Sequence, residues 1–218
     1  EVTQALRDND IPSSALWVED WIGGELTANG FRLSYAWEWD PMTYPDLPQT
    51  VEALHDRGFA FLGYFNTFVP DTTRMWEEGV EGGYLIEDED GEVYSFRDPA
   101  FRNTSMIDLS DPAARDWLGG YLRRAATEIG LDGWMADFSE WLPYDAVLDS
   151  GVDPWVFHNR YPLAWQDLNR TVLTDVHEQE AGTPANDWVF WARSGWASIN
   201  GGSAGSAATM WGGDQNTD

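Results

Sequence analysis

The sequence predicts an α/β fold built on a parallel sheet, and three observations lead to it. Short aromatic or β-branched runs alternate with helical patterns of ordinary length, which is the order typical of β-α-β units. Polar residues recur directly after the predicted strands. No Gly-x-Gly-x-x-Gly follows a strand, which weakens the case for a dinucleotide-binding sheet. A (β/α)8 TIM barrel and a doubly wound sheet both fit this pattern.

The predicted strands are short runs rich in aromatic and β-branched residues. In chain order they are residues 15–18, 31–39, 59–65, 132–138, 188–192 and 208–211. The polar residues after them are Glu19, Asp20, Asn66, Asp137, Arg193 and Asp214. In a barrel the carboxyl ends of the strands converge on one face, where active sites lie. These side chains are therefore candidates for a common site.

The predicted helices are residues 46–57, 71–78, 111–130 and 160–179. The second is short, and each of the other three carries an apolar stripe. The third has the clearest start, because Asp111 can cap the helix and Pro112 fits its first turn. Residues 84–109 are less regular, and the acidic run 87–90 before Gly91 is typical of a solvated hairpin tip. Residues 201–205 are rich in glycine and serine and predict a loop.

The charge of the chain excludes some classes of partner. Its 38 acidic residues face 12 basic ones, all of them arginine, so the net charge is −26. Nucleic acid and anionic membrane surfaces would be repelled. Such self-repulsion is screened at high salt, and abundant acids without lysine favour a protein from a high-salt cytoplasm. An acidic, arginine-preferring proteome is the alternative.

The sequence lacks the residues or the spacing that several other kinds of catalytic or binding site require. Cysteine is absent, which excludes disulfides and thiolate catalysis. The histidines at 55, 158 and 177 show no zinc spacing, and neither a phosphate loop nor a Gly-x-Ser-x-Gly elbow is present. We therefore expect no metal and no cofactor. No apolar run of about 18 residues and no signal peptide stand in the sequence, so we expect a cytoplasmic protein without a membrane partner; the oligomeric state stays open.

Two carboxylates are placed for chemistry at strand ends. Asp137 follows the strand that contains Trp134, and Asp214 follows the strand that ends at Trp211. Glycoside hydrolysis needs such a pair, one carboxylate to act at the anomeric carbon and one acid to protonate the departing oxygen. From spacing alone this evidence is weak, because acidic residues are common in this chain and such a pair is more often solvated surface.

The flanking residues bring in a resemblance. The segment 133–143, Gly-Trp-Met-Ala-Asp-Phe-Ser-Glu-Trp-Leu-Pro, resembles the nucleophile region of glycoside hydrolase family 31, and within it the sulfoquinovosidase branch, which has Gly-Trp-Met-Ala-Asp-Phe-Gly-Glu-Tyr-Leu-Pro. The segment 210–216, Met-Trp-Gly-Gly-Asp-Gln-Asn, resembles the acid/base region. The resemblance implies a retaining mechanism on a (β/α)8 barrel, with Asp137 as nucleophile and Asp214 as general acid/base. It also implies that residues 1–218 are part of one catalytic barrel domain, truncated at both ends.

The resemblance further implies the residues that hold the substrate, a small-molecule glycoside. They are Glu19, Arg32, Tyr35, Trp134 and Arg193. In the sulfoquinovosidase branch an Arg-x-x-Trp element grips the sulfonate; here Arg32 keeps the arginine, and Tyr35 stands where the tryptophan is expected. A tyrosine hydroxyl can still donate to a sulfonate oxygen. We expect an α-sulfoquinovosidase. An α-glucosidase or α-xylosidase acting on neutral sugars and a non-catalytic carbohydrate-binding barrel are the alternatives.

Overall fold

Ten strands run through the part of the protein that the computed structural model describes, residues 1–28, 30–98, 102–179, 187–196 and 206–212. In chain order they are β1 (Ala15–Trp17), β2 (Gly24–Thr27), β3 (Gly30–Leu33), β4 (Ala60–Phe65), β5 (Phe68–Pro70), β6 (Phe96–Asp98), β7 (Arg102–Met106), β8 (Gly133–Ala136), β9 (Val189–Ala192) and β10 (Thr209–Met210). The helices are α1 (Val2–Asp8), α2 (Leu47–His55), α3 (Arg74–Gly82), α4 (Pro112–Arg124), α5 (Pro154–Phe157) and α6 (Tyr161–Gln179). A 3-10 turn at Asp20–Ile22 and a π-helical turn at Ala125–Ile129 complete the set.

The central sheet has the strand order β1-β4-β8-β9-β10, and every neighbouring pair is parallel. This order follows the chain without a reversal. A doubly wound sheet reverses its strand order at a switch point, whereas a barrel adds each new strand beside the previous one. The sheet is therefore that of a (β/α)8 barrel, which resolves the choice between the two folds that the sequence pattern left open.

Helices cover the outer face of this sheet. Helix α4 begins where the sequence predicts, because the Asp111 carboxylate accepts hydrogen bonds from the amides of Ala113 (2.8 Å) and Ala114 (3.0 Å). Its last turn widens into the π-helical turn, and Gly130 ends it with a φ of 88°. The buried residues of α4 pack against α6 and complete the layer behind β8.

The segment 31–39 departs from its prediction as a strand. Only β3 is extended, and it pairs with β2 in an antiparallel hairpin. Beyond it the chain leaves the sheet, and Tyr35 and Trp37 adopt positive φ values of 49° and 53°. These turns place both rings in a stacked pair, with centroids 5.5 Å apart. An aromatic run can fill a core from a loop as well as from a strand, and the sequence pattern does not distinguish the two.

A second small sheet lies in the region whose pattern is irregular. Strands β5, β7 and β6 form an antiparallel sheet in that order. The acidic run at 87–90 forms the predicted turn, where the amide of Asp88 donates to the carbonyl of Glu92 (2.8 Å). The predicted loop at 201–205 lies outside the described residues. None of the described helices is long and apolar enough to cross a membrane.

Candidate active site

The carboxyl ends of three neighbouring strands bring their polar residues together around Asp137, which directly follows β8. Its amide donates to the carbonyl of Phe65 (2.8 Å), so the pairing of β8 with β4 extends up to the carboxylate. Asn66 follows β4, and Arg193 follows β9. The Arg193 Nη1 atom lies 3.5 Å from Asp137 Oδ1. The convergence of strand ends that the sequence predicts is confirmed for these residues.

The Asp137 carboxylate is nearly buried, with 6% of the residue exposed. Its Oδ2 accepts a hydrogen bond from the Tyr64 hydroxyl (2.7 Å), and the Asn66 side-chain amide donates to the same hydroxyl oxygen (3.2 Å). Its Oδ1 accepts no hydrogen bond from the described residues. Burial raises the pKa of Asp137 above its usual range, although the Tyr64 hydroxyl, the Phe138 amide and Arg193 all oppose the shift. One oxygen is thus held in place while the other stays available to react.

Arg193 is fixed by contacts on several sides. Its Nη2 pairs with Glu140 Oε1, and the hydroxyl of the next residue, Ser194, donates to Glu140 Oε2. The guanidinium also lies over the ring of Phe138, with its central carbon 4.1 Å from the ring centroid. A cation in this position faces Asp137 without forming a close, two-pronged pair with it.

The backbone between Asp137 and Glu140 is strained. Phe138 and Ser139 have φ values of 55° and 85°, in the left-handed region that side chains other than glycine rarely adopt. Each such residue costs of the order of 1 kcal/mol or more and persists only where its surroundings impose it. The two turns bring Phe138 under Arg193 and direct Glu140 towards the end of β9.

Tyr35 lies beside this cluster. Its ring stacks on Tyr64 with centroids 6.3 Å apart. Burial raises the pKa of Tyr35 to about 12; the negative charges of Asp137 and Glu19 add to this rise, while hydrogen bonding with Tyr64 opposes it. Tyr35 therefore lies within electrostatic range of both carboxylates, Asp137 and Glu19.

Arg32 lines a cavity of about 380 Å³ on the far side of Tyr35. The cavity lies between the β2-β3 hairpin and the start of α3, and its wall includes a second arginine, Arg74. Arg32 pairs with Glu25, the residue opposite it in the hairpin. Tyr35 borders both this cavity and Tyr64, so it connects the cavity with the Asp137 cluster.

For two other residues that the sequence analysis named, Trp134 and Asp214, the structure does not show a place in this cluster. The side chain of Trp134 is fully buried, and its indole nitrogen donates to Asn169 Oδ1 in α6 (2.5 Å). This is the geometry of a core residue between β8 and α6, and substrate contact by Trp134 stays a prediction. Asp214 lies outside the described residues, so its distance from Asp137 also stays a prediction.

Sequence reasoning did not assign a role to Tyr64, Glu140 or Asn66. Tyr64 lies within an apolar strand pattern, where a hydroxyl gives no signal of its direction. Glu140 stands within the motif that carries the family resemblance, but one acid among 38 carries little weight. Asn66 follows a strand, which is the same signal that identified Asp137.

The comparison with protein families decides the classification. The family model described as "Glycosyl hydrolases family 31 TIM-barrel domain" matches residues 1–218. The chain belongs to glycoside hydrolase family 31. Among the described residues, no group of three or more histidine, aspartate or glutamate side chains is arranged to hold a metal ion.

Individual family 31 proteins resemble the chain along most of its length. The sulfoquinovosidase of Escherichia coli K12 is 32% identical over 213 residues, which are 98% of this chain and 30% of that protein. The alpha-xylosidase XylQ of Lactiplantibacillus pentosus is 30% identical over 158 residues, 72% of this chain and 20% of that protein. A family 31 sulfoquinovosidase from E. rectale, solved with the aza-sugar inhibitor IFGSQ, superposes with a TM-score of 0.88 at 32% identity, covering 100% of this chain and 31% of that one. The chain thus spans about a third of these relatives or less.

Proposed function

We propose that the chain is the core of the catalytic barrel of a retaining α-glycoside hydrolase that cleaves α-sulfoquinovosides. The observation that carries the proposal is the Asp137 carboxylate, nearly buried at a strand end, with one oxygen held by Tyr64 and the other accepting no hydrogen bond within the described part of the chain. The similarity to sulfoquinovosidases over 98% of the chain supports the sugar.

In this mechanism Asp137 Oδ1 attacks the anomeric carbon and forms a covalent glycosyl-enzyme intermediate. Asp214 first protonates the departing oxygen and then, as a base, takes a proton from the water that hydrolyses the intermediate. Retention requires the two carboxyl groups to lie about 5–5.5 Å apart. The raised pKa of Asp137 makes it a more basic nucleophile than a fully solvated carboxylate, while the Tyr64 hydrogen bond favours its ionised form.

Exchange of the nucleophile tests the reaction class. Asp137→Gly should abolish release of an aryl aglycone by the full-length protein, and added azide should restore release by attacking the anomeric carbon from the vacated side. The product is then the glycosyl azide of inverted configuration, which NMR identifies. Wild-type protein that binds the glycoside without hydrolysing it would instead indicate a carbohydrate-binding barrel.

The anionic sugar is supported by the cavity beside Tyr35. A sulfonate presents three acceptor oxygens, and an arginine guanidinium offers donors in a matching planar arrangement. Arg32 and Arg74 both line this cavity, in a chain where acids outnumber bases by about three to one. The net negative charge of the molecule repels an anionic sugar at long range, but high salt screens this repulsion. A direct contact between a sulfonate and a guanidinium is therefore little affected by it.

The first prediction separates the anionic from the neutral substrate. Arg32→Ala should lower kcat/KM for an aryl α-sulfoquinovoside roughly 10- to 100-fold, since a hydrogen bond to a charged group contributes about 1.5–3 kcal/mol. The value for the aryl α-glucoside should change little. Arg57→Ala is the matched control, because Arg57 is exposed and its side chain bonds only to Gln4 among the contacts described. Equal losses on both substrates, or faster turnover of the glucoside by the wild type, would contradict the proposal.

A neutral substrate is the second candidate. The similarity to the xylosidase XylQ supports it, and so does the pairing of Arg32 with Glu25, which occupies one terminal nitrogen of the guanidinium. Tyr35 also replaces the tryptophan of the sulfonate-binding element. For this candidate, an aryl α-xyloside or α-glucoside would be the better substrate and Arg32→Ala would leave its turnover intact.

A further inference from the structure

Glu140 makes contacts that hydrolysis by two aspartates does not require. It lies three residues after Asp137, beyond the two positive-φ residues, and its side chain is 36% exposed. One oxygen binds Arg193 Nη2, and the other accepts from the Ser194 hydroxyl. Two consecutive residues at the end of β9 are thus tied to one carboxylate at the end of β8. A solvated surface acid would not need a strained turn to reach this position.

The guanidinium of Arg193 lies between two carboxylates. Its Nη2 belongs to Glu140, and its Nη1 lies 3.5 Å from Asp137 Oδ1, beyond ordinary hydrogen-bond length. The Phe138 ring beneath it limits movement in the third direction. If Glu140 did not bind Nη2, both terminal nitrogens could turn to Asp137 and form the bidentate pair that arginine and carboxylate prefer.

A bidentate pair would oppose the role of Asp137. It would place hydrogen bonds on Oδ1, the oxygen that accepts none from the described residues, and would lower the basicity of the carboxylate. The same guanidinium at 3.5 Å leaves Oδ1 free to form a bond while still offsetting part of the cost of burying its charge. The arrangement therefore depends on how far Arg193 is held from Asp137.

We propose that Glu140 is a positioning residue, which holds Arg193 by its Nη2 and so keeps Asp137 Oδ1 clear for nucleophilic attack. The inference rests on the proposed role of Asp137 as nucleophile. Glu140 also contributes a second effect through its charge, because a neighbouring carboxylate favours the protonated form of Asp137 and raises its pKa. Position and charge act in the same direction on the basicity of the nucleophile.

The test is the pH profile of kcat/KM in full-length Glu140→Gln. The acid limb of this profile reports the ionisation of Asp137 in the free enzyme. Removing the Glu140 charge and releasing Arg193 both stabilise ionised Asp137, so the acid limb should move to lower pH. At the same time kcat should fall, by up to about 100-fold, the loss expected from a misplacement of about 1 Å at a reacting group.

The matched control is Glu52→Gln, which removes one negative charge from the exposed face of α2 and should leave both quantities unchanged. Glu140→Asp keeps the charge but shortens the reach to Arg193, so kcat should fall and the acid limb should again move down. This variant also carries the test if Glu140→Gln does not fold, as judged by circular dichroism.

A second readout follows the nucleophile alone. The rate of covalent trapping by a 2-deoxy-2-fluoro glycoside should show the same displacement with pH as the acid limb. An acid limb that stays in place or moves to higher pH in the folded variants would overturn the inference, even where stability falls. If the wild type is active and Asp137→Gly is not, the proposed function stands even when the role of Glu140 is overturned. The failure of the inference and the failure of the proposed function are therefore distinguishable.

Discussion

At the scale of single residues, the two oxygens of Asp137 have different contacts. Oδ2 is held by the Tyr64 hydroxyl, which is itself held by the Asn66 amide. Oδ1 faces a guanidinium that stays 3.5 Å away. A carboxylate that reacts through one oxygen benefits from this asymmetry, because the held oxygen fixes the rotation of the group about its side-chain bond.

The hydrogen bond from Tyr64 gives a pH prediction of opposite sign to that for Glu140. Tyr64→Phe keeps the ring and removes the donor, which stabilises ionised Asp137 in the wild type. Without it Asp137 should hold its proton to higher pH. The acid limb of kcat/KM should therefore move to higher pH, and kcat should fall about 10- to 100-fold, the equivalent of about 1.5–3 kcal/mol for a charged hydrogen bond.

The control for this variant is Tyr94→Phe. Tyr94 also donates to an aspartate, Asp145 (3.0 Å), in an exposed hydrogen bond that does not involve Asp137. Its loss should leave the acid limb in place. A Tyr64→Phe profile that coincides with the wild type would show that the hydrogen bond does not influence the ionisation of Asp137.

The sequence predicted the position of Asp137 and Arg193 but not the contacts between them. Both follow apolar strands, and strand ends of a parallel sheet meet by geometry. Whether Arg193 binds Asp137 closely or lies at 3.5 Å depends on Glu140 and on the turn between them, which no periodicity encodes. The same holds for Tyr64, whose hydroxyl direction is set by tertiary packing.

At the scale of elements, the turn after β8 carries local strain beside the site. Phe138 and Ser139 both have positive φ, and Ser139 is 1% exposed with a hydroxyl that finds no hydrogen-bond partner among the described residues. The motif of the sulfoquinovosidase branch has glycine at this position, which adopts such a φ without a steric cost. Serine here therefore lowers the stability of the turn.

Ser139→Gly should raise the melting temperature of the protein. Relief of the left-handed strain and of the unpaired hydroxyl together exceed the added flexibility of glycine in the unfolded chain, for a net gain of about 1 kcal/mol. Thermal unfolding followed by circular dichroism measures the change. Ser110→Gly is the control and should lower the melting temperature, because Ser110 has no positive φ and its hydroxyl accepts a hydrogen bond from Ser150 (2.8 Å). A fall for Ser139→Gly as well would mean that the site tolerates serine without strain.

The predictions of strands and helices were confirmed where the sequence shows an apolar pattern of a single period. The strands β1, β4, β8 and β9 and the helices α2, α4 and α6 each show an apolar pattern of one period, and all are confirmed. The stretch after β3 failed because Tyr35 and Trp37 alternate as in a strand while their backbone turns back on itself. The β5-β7-β6 sheet was not predicted, because β7 has the sequence Arg-Asn-Thr-Ser-Met, which is mostly polar and shows no apolar strand pattern.

At the scale of the whole molecule, the net charge of −26 acts against the compact state. We predict that the melting temperature rises between 0.1 M and 1 M KCl, because the Debye length falls from about 10 Å to about 3 Å over this range. The rise should be steepest at low salt and then level off, since screening saturates. A rise that is linear in salt concentration would indicate exclusion of salt from the surface instead, and no rise would contradict the halophilic interpretation.

The central sheet accepts its strands in the order in which the chain contains them. A ribosome that synthesises from the N-terminus therefore delivers each of the five strands to an edge that the preceding one has just provided. Asp137 emerges with β8, but the arginine that faces it follows 56 residues later in the sequence, after β9. During synthesis the Asp137 carboxylate is therefore present before Arg193, and its charge is opposed by this arginine only after β9 has joined the sheet.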